Sequence, residues 1–223
     1  MAKHPVQQNI NIATDAVIFT VREGELMALL IKMKKKPYEN QWAVPGGLLG
    51  DNETTESAAK RILKEQTGVN DVYLEQLRTF DDEGRDKIGR VVSVAYFALI
   101  PSGKVSLKTT DKYADVKWVS VNKLPKLAYD HKRVLRTAVQ RLQAKLEYSN
   151  IAYSLLPKAF PLSQLQDVYE IILGREIDKR NFRKKLMALD VIETTGKREE
   201  GAAHRPAELY RFKTRTLEYA DIL

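Results

Sequence analysis

The sequence predicts an α+β protein of two units, a larger one over residues 1–148 and a smaller one over residues 149–223. In the larger unit, strand-like runs are mixed with two amphipathic helical segments, which favours a sandwich of helices and sheet over an all-β domain. The smaller unit has two helical segments followed by a hairpin pattern. A chain of 223 residues has enough material to bury real cores in both units.

The predicted sheet of the larger unit comes from apolar runs of strand length bounded by turn residues. These runs lie at residues 12–21, 26–31, 42–47, 72–80, 91–100 and 116–119, and the third ends in a Pro-Gly-Gly turn. A helix is predicted at 54–67, where Gly68 follows as the C-cap, and a second at 129–146, where apolar residues recur at helical spacing. The first two strands and the turn between them predict a hairpin.

The smaller unit contains clear signals for helix ends. Ser163 and Gln166 have the spacing of a capping box, and Gly174 closes the helix that they open. Asp178 is a suitable N-cap for a second helix over residues 179–189. Two strand-like runs follow, at residues 191–195 and 209–212, and they bracket a long basic tip at residues 196–206.

Composition excludes several classes of protein. The chain has no cysteine, so it forms no disulfide, no Cys-ligated zinc site and no Cys nucleophile. No apolar run approaches the ~20 residues of a membrane span, and no signal peptide is evident, so a cytoplasmic location is expected. A net charge of +8 fits a polyanionic partner or simply a basic soluble protein, and charge alone does not separate the two.

A longer pattern runs from the Pro-Gly-Gly turn into the first helix. It is Trp42-x2-Pro45-Gly46-Gly47-x5-Glu53-x7-Arg61-Ile62-Leu63-Lys64-Glu65-Gln66-Thr67-Gly68-Val69. This pattern resembles the Nudix box, in which Gly, five residues, Glu and seven residues precede Arg-Glu-aliphatic-x-Glu-Glu-x-Gly-aliphatic. The resemblance implies a Nudix α/β/α sandwich, a fold whose members hydrolyse phosphoanhydrides on a divalent metal.

The metal-binding face of this helix departs from the Nudix pattern. Positions 62, 65 and 66 share one helical face, and a functioning hydrolase has glutamate at all three. This chain has Ile62, Glu65 and Gln66, a poor donor set for Mg²⁺. We therefore expect no metal and no cofactor, unless Glu56 or a carboxylate of the loop 81–86 restores a Mg²⁺ site. Glu53, Arg61 and Glu65 are what remains of the catalytic set, and we expect Glu53 and Arg61 to form an ion pair that holds the loop to the helix.

The loop 84–90 is similar to a segment of Nudix proteins that handle ADP-ribose and related sugars. Arg85 and Arg90 are the first candidates for ligand contacts, because a guanidinium gives bidentate hydrogen bonds to pyrophosphate. An alternative interpretation makes both of them ordinary surface arginines. The other candidates for the effector site are Lys32, Gly46, Gly47 and Glu65.

The smaller unit has the element order of a winged helix-turn-helix. Its second helix is basic on one side and apolar at Phe182, Leu186 and Leu189, so its polar side is free for a major groove. Arg and Asn suit base edges, whereas Lys mostly contacts phosphate. The candidate DNA-binding residues are Lys179, Arg180, Asn181, Arg183 and Lys184 on the helix, and Lys197, Arg198 and Arg205 on the hairpin.

The segment Arg205-Pro206-Ala207-Glu208-Leu209-Tyr210 is similar to the wing of NrtR-type Nudix-related transcriptional regulators. With the Nudix box and the basic helix in the same order, the resemblance covers nearly the whole chain. It implies a homodimer that binds a palindromic double-stranded DNA operator and uses its Nudix domain to sense an effector. Effectors differ between branches of the family, which regulate NAD or sugar metabolism.

The favoured hypothesis is a transcriptional repressor whose catalytically degenerate Nudix domain senses ADP-ribose or a related nucleotide or sugar. The first alternative is a Mg²⁺-dependent ADP-ribose pyrophosphatase with an accessory DNA-binding domain, against which Ile62 and Gln66 argue. The second alternative is a ligand-binding module whose C-terminal unit contacts RNA or protein.

Overall fold

The structure is a computed structural model that describes residues 9–101, 103, 105, 107, 111–199 and 206–223. Its strands are β1 (Asn11–Arg22), β2 (Glu25–Met33), β3 (Trp42–Ala43), β4 (Gly46–Leu48), β5 (Tyr73–Phe80), β6 (Val91–Leu99), β7 (Tyr113–Ser120), β8 (Phe160–Pro161), β9 (Ile192–Arg198) and β10 (Glu208–Phe212). Its helices are α1 (Thr55–Thr67), α2 (His131–Tyr148), α3 (Leu162–Leu173) and α4 (Lys179–Ala188), with a 3₁₀ turn at Ile151–Ser154.

The N-terminal unit is built on a mixed sheet that, among the described residues, has seven strands. The order β3-β2-β1-β6-β5 forms its backbone, and β4 and β7 pair with β1 and β2. Strands β1 and β6 are parallel, and the other pairings are antiparallel. Because successive side chains of a strand point to opposite faces, β1 supplies both cores, with Val17 and Phe19 on one face and Ala16 and Ile18 on the other.

Each face of the sheet is covered by one helix. Helix α1 packs Ile62 and Leu63 onto the face that carries Ile18. Helix α2 packs Val134 and Leu135 onto the opposite face. The chain therefore has the α/β/α layering that the sequence predicts.

The core on the α2 face continues into the C-terminal unit. The same cluster that contains Phe19 and Leu142 also contains Tyr169, Phe182 and Phe212, all buried. Helix α2 ends at Tyr148, and Ser149 continues in an extended conformation. The division into residues 1–148 and 149–223 stays a prediction, since the hydrophobic core does not stop there.

The C-terminal unit packs α3 and α4 beside a three-stranded sheet of order β8-β10-β9. Asp178 caps α4 as predicted, accepting a hydrogen bond from the backbone N–H of Asn181 at 2.8 Å. The capping box predicted for α3 is wrong. That helix begins at Leu162 after Pro161 and has no side-chain cap, and Gln166 instead donates to Glu170 and to the Ile177 carbonyl. Gln166 thereby closes the turn that leads to α4.

The start of α2 and the end of β9 are among the element bounds that differ from the sequence prediction. Helix α2 starts at 131 instead of 129 because Tyr129 has a left-handed backbone, with φ of 53°. Strand β9 extends to Arg198, so part of the predicted basic tip is β-structure. Across the described residues, no helix is long and apolar enough to cross a membrane.

Candidate functional site

A cavity of about 340 Å³ opens in the N-terminal unit, where β1, β2 and β4 meet the loop 84–90 and the start of α2. Its polar lining comes from both ends of the sequence of that unit. The lining residues with polar side chains are Asn11, Asp15, Arg85, Asp86, Tyr113, Tyr129 and His131. Apolar side chains, among them Ile31, Val44 and Val91, complete the wall. Such a mixture suits a ligand that combines flat apolar and polar groups.

The centre of the cavity wall is a buried ion-pair network around Arg85, whose side chain is 4% exposed. Its Nη2 donates to Asp15 Oδ2 at 3.1 Å and to Asp130 Oδ1 at 2.8 Å. Ser93 Oγ donates to the same Asp15 oxygen at 2.6 Å. Burial acts to lower the pKa of Arg85, but the Asp15 charge and the Asp130 hydrogen bond outweigh it and raise the pKa. The guanidinium is therefore charged, and it has two carboxylate partners.

His131 lies beside this network and is buried. Its Nδ1 accepts a hydrogen bond from the Val44 backbone N–H at 2.9 Å, which leaves the ring proton on Nε2. Nε2 is 3.6 Å from Asp15 Oδ1. Burial lowers the pKa of His131, so the neutral ring is the form present near neutral pH.

Aromatic rings form another part of the wall. Tyr129 lies between Tyr38 and His131, with ring-centroid distances of 4.0 Å and 4.9 Å. Burial raises the pKa of Tyr129 and of Tyr113 to about 12, so both hydroxyls remain hydrogen-bond donors. The Tyr113 hydroxyl donates to the Gly46 carbonyl at 3.0 Å. Flat rings beside hydrogen-bonding groups suit a ligand with a planar base or sugar hydroxyls.

The two glycines of the Pro-Gly-Gly turn have different surroundings. Gly46 is paired with Asp15 across β1 and β4, and a Cβ there would lie 2.4 Å from Asp15 Oδ1. A Cβ at Gly47 would have no heavy atom within 4 Å. Gly46 is thus required by the close approach of β4 to the ion-pair network, and Gly47 is not.

Helix α1 is tied to the preceding loop by a bidentate ion pair. Arg61 donates from Nε and Nη2 to the two carboxylate oxygens of Glu53, at 2.7 Å and 2.8 Å. The Arg61 hydrogen bonds hold the pKa of Glu53 at about 2. Arg61 Nη1 also donates to Glu65 at 3.4 Å. The scaffold that the sequence predicts for Glu53 and Arg61 is present.

The metal-binding positions of α1 do not fit Mg²⁺. Ile62 is 3% exposed and belongs to the hydrophobic core between α1 and the sheet, and Gln66 is 1% exposed. Glu65 remains at the surface, where Arg61 contacts it. One partly paired carboxylate is not an adequate donor set for Mg²⁺, which prefers several oxygen ligands in octahedral geometry. Within the described residues, no group of three or more His, Asp or Glu side chains is placed to hold a metal.

Helix α4 presents a basic polar face to solvent. Phe182 and Leu186 are buried against α3 and the small sheet, as the apolar stripe predicts. Arg183 donates to the Tyr210 hydroxyl on β10 at 3.4 Å. Seven of the predicted DNA-binding residues are exposed, namely Lys179, Arg180, Asn181, Arg183 and Lys184 on α4 and Lys197 and Arg198 on β9. Arg205, also predicted to bind DNA, lies outside the described residues.

Comparison with known proteins now identifies the two units. A NUDIX domain model matches residues 11–138, and an NrtR DNA-binding winged helix domain model matches residues 152–212. The ADPR responsive transcriptional repressor NtrR of Acinetobacter baylyi is 36% identical over 212 residues, 93% of this chain and 84% of that protein. The chain belongs to the NrtR family of Nudix-related transcriptional regulators.

Solved structures of the family agree with this assignment. Shewanella oneidensis NrtR in complex with a 27mer DNA is 33% identical, with a TM-score of 0.79 over 91% of this chain and 93% of that chain. The NUDIX domain of the same protein in complex with ADP ribose is 34% identical, with a TM-score of 0.53 over 59% of this chain and 87% of that chain. The predicted fold of a Nudix sandwich followed by a winged helix is confirmed.

The structure places only part of the predicted effector set at the cavity. Arg85, Gly46 and Gly47 line it, whereas Lys32, Glu65 and Arg90 do not. Arg90 Nη1 donates to the Asp81 carbonyl instead. The ligand contacts of all six residues stay predictions.

Sequence reasoning missed the two partners of Arg85, which are Asp15 and Asp130, and it missed His131, whose ring lies beside Asp15. Asp15 carried a usable signal, because an acidic residue inside an apolar strand is rarely buried without a partner. Asp130 and His131 carried none that local patterns could supply.

Alanine substitutions at Gly46 and Gly47 should have different effects on stability. We expect Gly46→Ala to lower the free energy of unfolding by ~1–3 kcal/mol, since the new Cβ displaces a buried, hydrogen-bonded Asp15. Gly47→Ala should change it by less than ~0.5 kcal/mol. Urea unfolding measures both, and equal effects of the two substitutions would contradict the close approach.

The buried His131 makes stability depend on pH. Because its folded pKa is lowered from 6.5, the unfolded chain takes up a proton where the folded chain does not. The contribution is therefore complete above pH 6.5 and is lost as the pH falls from there towards the folded pKa. We expect urea unfolding between about pH 7.5 and pH 5.5 to show this loss. His131→Asn can still accept the Val44 N–H, and it should reduce the slope; an unchanged slope would assign the pH dependence to other groups.

Proposed function

We propose that this protein is a transcriptional repressor that binds operator DNA through its winged helix and responds to ADP-ribose bound in its Nudix domain. The observation that carries the proposal is the exposed basic face of α4, opposite an apolar stripe whose Phe182 and Leu186 are buried in the core. A helix in this setting can enter a major groove without unfolding any packing. The DNA-bound S. oneidensis NrtR, similar over 91% of this chain, supports the same use of the unit.

ADP-ribose is the proposed effector because its chemistry matches the cavity. Its planar base suits the aromatic wall formed by Tyr113 and Tyr129, and its hydroxyls and phosphate oxygens suit carboxylates and a guanidinium. The A. baylyi relative is named as ADPR responsive, and the S. oneidensis NUDIX domain was crystallised with ADP ribose. A cavity of about 340 Å³ is large enough to bury a substantial part of such a ligand.

The Nudix domain acts in this proposal as a sensor that needs no cofactor. Burial of Ile62 and Gln66 supports this, since the positions that would hold Mg²⁺ belong to the core. A homodimer in the cytoplasm, acting on a palindromic operator of NAD or sugar metabolism genes, completes the proposal. A two-fold dimer suits a palindrome because each recognition helix meets one half-site.

Calorimetric titration with ADP-ribose in a Mg²⁺ buffer, followed by analysis of the recovered nucleotide, tests the sensor. We expect saturable binding and intact ADP-ribose. Recovery of AMP and ribose 5-phosphate would establish the hydrolase in its place, and an absence of binding would exclude ADP-ribose as the effector.

Two arginines of the same loop provide a matched pair for the cavity. Arg85→Gln should weaken ADP-ribose binding about tenfold or more, because it removes charge-assisted hydrogen bonds at the cavity wall. Arg90→Gln should leave the Kd within about twofold, because Arg90 contacts the Asp81 carbonyl outside the cavity. Thermal unfolding of both variants checks that folding is retained. A larger loss from Arg90→Gln would move the site to another part of the loop.

DNA binding is tested on a fragment that the protein itself selects from a random-sequence library. Asn181→Ala should reduce discrimination between the selected site and its single-base variants by ~1–3 kcal/mol, because Asn contacts base edges. Lys184→Ala should weaken binding to all sequences alike and reduce the salt slope by about one unit. Lys126→Ala, an exposed lysine of the Nudix domain, should change neither. Failure to enrich any sequence would exclude the repressor.

A further inference from the structure

The two carboxylates that share Arg85 are not equivalent. Asp15 is 7% exposed, so losing the guanidinium would leave its buried charge with the neutral Ser93 hydroxyl as a donor but with no cation beside it. Asp130 is 15% exposed and lies at the N-terminus of α2, where the helix dipole stabilises a negative charge. Of the two, Asp130 is the partner that Arg85 can release at low cost.

The Asp130 carboxylate has an alternative hydrogen-bond donor at the start of α2. It is the N-cap residue of α2, and an aspartate there normally accepts a hydrogen bond from the backbone N–H two or three residues ahead. In this structure its side chain makes no such cap. The Asp130 backbone, with φ of −92° and ψ of 18°, is not in the extended conformation of a capping residue, and both carboxylate oxygens accept from Arg85, Oδ1 at 2.8 Å and Oδ2 at 3.4 Å. A cap therefore requires a change of the Asp130 backbone as well as release from Arg85. The same carboxylate can therefore serve the cavity or the helix, but not both.

Tyr129, the residue before Asp130, connects the hydrogen-bonding state of Asp130 to the cavity. Tyr129 lines the cavity, packs in tilted contact with the rings of Tyr38 and His131, and has a left-handed backbone, with φ of 53°. Such backbone strain in a non-glycine residue persists only where its surroundings hold it. A ligand that displaces the Tyr129 ring from its neighbours would change the backbone at the start of α2.

The far end of α2 is attached to the C-terminal unit. Gln143 Nε2 donates to the Ile172 carbonyl at the end of α3, at 2.8 Å. The Glu147 carbonyl accepts from the Ile222 backbone N–H at 2.7 Å. Leu142 and Leu146 are buried in the core that also holds Tyr169 of α3. A shift at the start of α2 is therefore transmitted by packed helices to the unit that carries α4.

We propose that Asp130 is the positioning residue through which the cavity controls the DNA-binding unit. An oxygen-rich ligand such as ADP-ribose competes with Asp130 for the Arg85 guanidinium. The released Asp130 carboxylate then caps α2 and alters the position of that helix. This inference rests on the proposed function and adds its regulation, because it assigns the coupling between the two sites to one exchange of hydrogen-bond partners.

The test measures coupling, defined as the ratio of the Kd for library-selected DNA with saturating ADP-ribose to the Kd without it. Allosteric ratios are commonly about 5-fold to 150-fold, and we expect the wild type to fall in this range. Asp130→Asn still can cap α2 but lacks the charge that holds Arg85, so its ratio should lie within about twofold of one. Saturation makes the ratio independent of any change in ADP-ribose affinity.

Asp82→Asn is the matched control. It also removes a carboxylate paired with an arginine of α2, Arg133, but at the exposed surface and outside the cavity lining. Its ratio should equal that of the wild type. A wild-type ratio in Asp130→Asn would overturn the inference while leaving the proposed function intact. A wild-type protein that binds no DNA, or whose DNA affinity ADP-ribose does not change, would overturn the proposed function and the inference together.

A measurement on the wild type keeps the test valid if Asp130→Asn folds poorly. Hydrogen exchange of the Lys132 amide in the first turn of α2 should slow when ADP-ribose is added, because Asp130 then caps that turn. The Arg133 amide already donates to the Asp130 carbonyl at 2.8 Å and is not used as a readout. The amides of α1 provide an internal reference that should not change. Unchanged exchange at Lys132 with bound ADP-ribose would overturn the inference.

Discussion

The cavity of the N-terminal unit depends on a buried cation. A guanidinium that is 4% exposed is tolerated only with opposite charges around it, and Arg85 has them in Asp15 and Asp130. Asp15 lies on β1, Arg85 lies in the loop before β6, and Asp130 lies at the start of α2. The ion pairs therefore hold this loop and the start of α2 against the sheet. The cavity has its shape because the Arg85 network forms its wall.

Helix α2 turns this local constraint into a property of the whole chain. It covers one face of the Nudix sheet with Val134 and Leu135, and its C-terminal half packs on α3. Because one continuous core joins the two units, their relative position is set by packed side chains and not by a flexible linker. Regulation by a ligand then requires a rearrangement of packing, which occurs between discrete states.

Most of the fold was predictable because it is encoded locally. Apolar runs and turn residues placed the strands of the sheet, and Asp178 and Gly68 marked helix ends that the structure confirms. Local signals failed where the tertiary structure decides, as at Ser163, where α3 instead begins at Leu162 after Pro161 and has no side-chain cap. For the same reason, the sequence predicted only part of the candidate site. A motif pointed to Arg85, but its partner Asp130 lies 45 residues away and no local pattern links the two.

The burial of Ile62 and Gln66 also determines the environment that a glutamate introduced at either position would have. Glutamates restored at these positions would enter a site where Ile62 is 3% and Gln66 1% exposed. Burial without a cation raises the pKa of a carboxyl group, so the restored side chains would resist ionisation and would bind metal poorly. Recovery of a Mg²⁺ site would require α1 to repack on the sheet as well as two substitutions. The core beneath α1 thus disfavours a metal site at positions 62 and 66 even when both carry glutamate.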